Sequence, residues 1–116
     1  MKIIEAISRV DELKPNGYSA RQKVLWLSQL EALVHKQALR KPFAEFTAGT
    51  DMDTELVMAA PFDVAYLYWL EAQIHYANED IELYNSAIRL FTDAWRAFQL
   101  DYHREQGSGT AGRFLF

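Results

Sequence analysis

The sequence contains no cysteine. Disulfides, thiolate zinc sites and cysteine nucleophiles are therefore excluded, and the redox compartment is left open. Proline and glycine are scarce, at three and five residues, which excludes collagen-like or low-complexity character. Long apolar runs are missing too. An uncharged stretch such as Leu56 to Phe62 is far below the ~20 residues that a membrane span needs. Met1-Lys2-Ile3-Ile4 is followed by Glu5 and Arg9, so no secretory apolar region develops. These absences predict a soluble, cytosol-type chain held together by packing.

Positive charge runs out early. Met1 to Phe62 carries eight basic and eight acidic residues, while Asp63 to Phe116 has four Arg against eight acids. The whole net charge of -4 therefore sits in the second half, and no Lys follows Lys41. Lys36, Arg40 and Lys41 form the only basic cluster, and a solvated helix end accounts for it. Sequence-specific nucleic-acid binding requires a basic stripe that this chain does not have.

What is present is a 116-residue chain, 50% hydrophobic and 14% aromatic. That length fits one domain, with ~6,500 Å² exposed when folded against ~19,000 Å² unfolded. The seven Phe, six Tyr and three Trp exceed what so small a core obviously needs.

Periodicity predicts an all-α bundle of about four helices. Ile3 to Leu13 places Ile3, Ile7 and Val10 on one face, with Ala6 and Leu13 beside them. Lys14-Pro15-Asn16-Gly17 ends that helix. Ser19 caps a second, with Gln22 completing a capping-box pattern. The second helix runs to about Leu39 on a Val24, Leu27, Leu30, Val34 stripe. Residues 40 to 61 read as a long irregular loop between the second and third helices, with a short extended piece from Met52 to Met58. Pro61 fits the first turn of a third helix reaching Asn78. The fourth carries a seam of Ile81, Tyr84, Ile88, Phe91, Trp95, Phe98 and Tyr102, in steps of three and four. Residues 1–105 thus form a helical domain, and the Gly/Ser-rich residues 106–116 read as a flexible C-terminal tail.

Catalytic frameworks are not found: no nucleophile elbow, phosphate loop or zinc-protease helix occurs. Glu31-His35 and Glu71-His75 are spaced i, i+4, whereas di-metal bundles use i, i+3. Asp51, Asp53 and Glu55 miss the EF-hand pattern. The expectation is a protein without cofactor, metal or enzymatic activity. Tyr66, Tyr68, Trp69 and Tyr76 surround the third helix instead of lining one face, so a second cover is expected, and another subunit is the expected source.

Several strings resemble a known family. Val10-Asp11-Glu12-Leu13-Lys14-Pro15-Asn16, Tyr18-Ser19, Lys23-Val24 and Trp26-Leu27-Ser28 resemble the start of small phage and prophage proteins from Gram-positive hosts. Ala60-Pro61-Phe62-Asp63, Tyr66 with Trp69-Leu70-Glu71-Ala72-Gln73-Ile74, and Tyr84-Asn85 with Phe91, Ala94, Ala97-Phe98 and Tyr102 are similar as well. The family is that of head–tail connector, or adaptor, proteins of tailed bacteriophages, and the resemblance covers residues 1 to about 105. It implies a homo-oligomeric ring in the virion, under the portal, that links the portal to tail or stopper proteins, with a monomer as the alternative state of the isolated chain. It also implies assembly in the host cytoplasm and residence at the head–tail interface of the virion. Ring contacts are expected at Phe43, Phe46 and Met58 of the loop and at Tyr68 and Trp69 of the third helix. By analogy, Arg113, Phe114, Leu115 and Phe116 would dock on the portal. The alternative from another class is a small helical interaction or regulatory module.

Overall fold

The computed structural model describes residues 1–111, with side-chain surroundings described through residue 106. Four α-helices follow one another: α1 (Ile3–Leu13), α2 (Ala20–Val34), α3 (Val64–Ala77) and α4 (Ile81–Ala111). A π-helical segment, His35–Leu39, extends α2. Among the described residues there is no β-strand, only an isolated antiparallel bridge between Lys2 and Glu55.

Each helix begins where a donor or acceptor can satisfy its first turn. The Glu5 carboxylate reaches back to the Lys2 amide at 2.8 Å. The next amides, Ile3 and Ile4, donate to Thr54 O and Met52 O at 3.0 and 2.9 Å. Helix-start amides have no partner inside the helix, so the loop before α3 caps α1 through its own carbonyls. Ile3, Ala6, Ile7 and Val10 are buried, whereas Leu13 is exposed and does not join the apolar face expected for it. The turn after α1 is fixed by Asn16, whose amide donates to Asp11 Oδ1 and Lys14 O and whose oxygen accepts from the Tyr18 amide. Lys23 Nζ is buried against this corner, 2.7 Å from Asp11 Oδ1 and 2.8 Å from Tyr18 O. Burial opposes the charge of Asp11, but hydrogen bonds from Lys23 and Asn16 outweigh it and hold the carboxyl below its usual range.

Ser19 Oγ accepts from the Gln22 amide at 3.1 Å, and Val24, Leu27, Leu30 and Val34 are buried as one stripe. The last turn widens into the π segment and stops at Arg40, whose φ of 56° is left-handed. Pro42 follows and cannot continue a helix.

Pro61 does not open α3. It follows Ala60 through a cis peptide, and a turn closed by Phe62 N to Ala59 O at 2.8 Å precedes the helix start at Val64. The helix cannot begin earlier because residues 59–62 are committed to that turn.

Helix α3 is the middle layer. It touches α1 and α2 on one side and α4 on the other, and among the described helical segments α4 touches only α3 and the π segment. Much of the second cover expected from another subunit is supplied by α4 of the same chain, while Tyr76 stays 62% exposed. The seam residues Phe91, Trp95 and Phe98 are buried there. Their rings form a ladder that Trp69 and Phe62 enter from the α3 side, at 5.2 Å from Phe91 and 6.0 Å from Phe98. Ring pairs of this kind add about 0.5–1.5 kcal/mol each beyond area burial. At the reversal, Glu79 takes a left-handed φ of 61°, and Asp80 Oδ1 accepts from the Leu83 amide at 3.1 Å to start α4. Ile81 at the head of the seam is exposed. Helix α4 continues to Ala111, so the composition break after Glu105 falls inside the helix.

Candidate functional site

The most buried polar cluster lies where the loop meets α2 and α3. Glu31, only 2% exposed, accepts from Tyr66 Oη at 2.6 Å through Oε1 and from the Val57 amide at 2.9 Å through Oε2. Tyr66 Oη accepts in turn from the Met58 amide at 2.9 Å. Burial raises the Glu31 carboxyl above its usual range against the opposing pull of Tyr66 and Val57. The Tyr66 phenol is raised as well, by burial and by the Glu31 charge. Two acceptor oxygens facing two donors is the arrangement of a structural carboxylate. It ties residues 57–58 to the bundle and so shapes the loop.

Met58 is 0% exposed and belongs to the core, which corrects its expected place on a ring surface. Leu56 and Met58 both point inward while Val57 lies between them half-buried, the alternation of an extended segment. Trp69 is half-buried, and its indole N–H donates to Trp26 O at 2.7 Å. It wedges α2, α3 and α4 together. Tyr68 is half-buried against the core. Phe43 and Phe46 are also half-buried, edge-to-face at 5.2 Å, with Phe43 lying 4.7 Å from the His35 ring. The Phe46 amide donates to Ser28 Oγ at 2.9 Å. These two remain at the surface but are tied to α2. Arg113, Phe114, Leu115 and Phe116 lie outside the described residues.

Two surfaces were missed by reading the aromatics. The first is a groove of about 500 Å³ between the start of α2 and residues 47–52, lined by Val24, Leu25, Ala48 and Met52 among others. Arg21 is its only charged lining residue. A smaller groove of about 240 Å³ continues past Leu25 toward Ser28 and Phe46. Leu25 stands between the two, 46% exposed. The second surface is a ridge on α4, where Leu83 and Leu90 are 46% and 47% exposed and Ala97 follows at the same spacing. Seven-residue spacing puts the three on one side of the helix. The sequence carried that signal, one position away from the aromatic seam.

The Glu-His pairs do not build a metal site. Glu31 is engaged as described, and His35 Nδ1 is 2.9 Å from Glu31 O instead of its carboxylate. Glu71 Oε1 is 3.6 Å from both Lys14 Nζ and His75 Nε2. Among the described residues no group of three or more His, Asp or Glu is placed to hold a metal ion, and no helix is long and apolar enough to cross a membrane. No family model matches the chain, and no curated protein or solved structure was found to match it.

Proposed function

We propose that this chain is a structural, non-enzymatic subunit of a phage head–tail connector. It would sit in a ring under the portal and offer a platform to tail or stopper proteins. Assembly takes place in the host cytoplasm, and the finished ring resides in the virion.

The observation that carries this reading is exposed apolar surface on both outer layers, Leu25 on α2 and Leu83, Leu90 and Leu100 on α4. Ring subunits need two unlike contact surfaces, and a three-layer helical unit with α3 in the middle has both outer layers free for them. The strings that carry the family resemblance support it from another direction. They fall on the joints of the fold: the Asp11–Asn16–Lys23 corner, the turn into α3, and the Trp69 wedge.

The test is reconstitution with the portal protein encoded by the same phage or prophage. Co-sedimentation and ring-shaped density beneath the portal are expected in electron micrographs. A chain that ignores the portal at micromolar concentration sinks the proposal and favours an interaction module with another partner.

A further inference from the structure

We infer that the groove on α2 is the docking site for the α4 ridge of a second copy of this chain, a head-to-tail contact that repeats from subunit to subunit. The inference concerns self-assembly and does not depend on a portal.

Three observations lead to it. The two surfaces belong to opposite outer layers, because α3 separates α2 from α4. One molecule therefore cannot satisfy its own groove with its own ridge. Shapes also agree. The groove has an apolar floor of Val24, Leu25 and Met52 with small Ala20 and Ala48 at its sides. The ridge offers Leu83 and Leu90 as knobs about 10.5 Å apart, with the small, exposed Ala97 one heptad further along allowing close approach.

Charge selects the pairing. The only charged residue lining the larger groove is Arg21, which lies in the first turn of α2, where the helix dipole is positive. The ridge is bordered by Asp80, Asp93 and Asp101. Arg89 and Arg96 lie roughly 100–120° further round the helix, at 100° per residue, and Arg104, on the ridge line seven residues past Ala97, is about 21 Å along the helix from Leu90. A ridge-to-ridge contact is disfavoured by the same charges. An antiparallel pair centred on Leu90 places Asp101 opposite Glu79 of the other copy, and a parallel pair places Asp93 opposite Asp93 and Asp101 opposite Asp101. Like charges placed directly opposite each other cost affinity. The groove-to-ridge contact instead sets Asp80 and Asp93, the bordering acids nearest Leu83 and Leu90, against Arg21 of the larger groove, clear of Glu45 in the smaller one. A contact of this heterologous kind closes into a ring or propagates as a filament.

Two surface substitutions test it. Leu25→Glu spoils the groove and leaves the ridge, while Leu90→Glu spoils the ridge and leaves the groove. Both positions are about half exposed, and circular dichroism and thermal melts should show both variants folded. Sedimentation velocity up to about 1 mM, where weak contacts become populated, should show wild-type mass rising with concentration. Each variant alone should remain monomeric. An equimolar mixture should give a dimer of one copy of each and stop there, since only one intact groove and one intact ridge meet.

A wild type that is monomeric throughout, assembly that survives either substitution, or a mixture with no dimer would each overturn the inference. The outcomes also separate it from the connector reading. Self-assembly without portal binding leaves the inference standing and removes the connector. Portal-bound rings that both variants still form do the reverse.

Discussion

The Tyr66 hydroxyl donates to Glu31 Oε1 across 2.6 Å, inside the bundle, while the same hydroxyl accepts from the Met58 amide. One phenol thus links α2, α3 and the loop that joins them.

Removing it should be costly in a specific way. Tyr66→Phe leaves the Met58 amide and Glu31 Oε1 without this partner, and a buried unsatisfied group costs about 1–3 kcal/mol. Glu31→Ala strands the Tyr66 hydroxyl and the Val57 amide together and also opens a void, so it should cost more, about 2–4 kcal/mol. Urea unfolding checks both. If Tyr66→Phe unfolds at the wild-type midpoint, the link carries no weight.

Glu31 also sets a pH dependence. Burial raises its carboxyl in the folded state, so the folded chain binds that proton more tightly than the unfolded chain does. Its contribution is then fully present below the unfolded value of about 4.3 and is lost as pH rises through the folded value. Glu31→Gln cannot titrate. Wild-type stability minus that of Glu31→Gln should fall as pH rises from 4 toward neutrality, read from urea midpoints at several pH values. A constant difference means Glu31 does not titrate differently on folding.

His75 offers the opposite case. Its Nε2 is buried with no hydrogen-bond partner, and Glu71 Oε1 at 3.6 Å is beyond hydrogen-bond reach. An orphaned buried polar atom weakens a fold, and an apolar group of similar shape removes that penalty. His75→Leu should be neutral or stabilising by up to about 1 kcal/mol, measured as an unchanged or raised melting temperature. A clear drop would show that the imidazole makes a contribution not visible in its hydrogen bonds.

Trp69 tests the joint between the layers. Trp69→Phe keeps a tilted ring contact with Phe91 but loses the bond to Trp26 O, a loss of about 1 kcal/mol. Trp69→Ala loses the ring contact as well and leaves a void at a half-buried site, about 2–4 kcal/mol. Thermal melts of the two variants should keep that order.

Much of the fold was legible because helix signals are local. The limits of α1, the Ser19 cap and the aromatic seam of α4 all follow from residues three or four positions apart. Glu31 was read only as half of a Glu-His pair, although its place four residues after Leu27 and three before Val34 puts it on the buried stripe of α2. The inward position of Met58 was not, because an uncharged run such as Leu56 to Phe62 does not reveal which residues alternate toward a core. Nor was the second cover of α3. An apolar circumference says that something covers the helix, but only the tertiary arrangement says that α4 does. The groove escaped because it joins α2 to residues 47–52, a pairing with no periodic signature.

The caps on α1 have a consequence for how the chain emerges during synthesis. Ile3 and Ile4 find their acceptors on Thr54 and Met52, so these two amides are left to water until the loop before α3 has left the ribosome. The α3–α4 hairpin needs only its own short reversal at residues 78–80. Local contacts form quickly and distant ones wait for loop closure. Helix α1 therefore receives its last two caps only after the loop is made, and until then its Ile3, Ile7 and Val10 face is a sticky surface that a growing chain must shield.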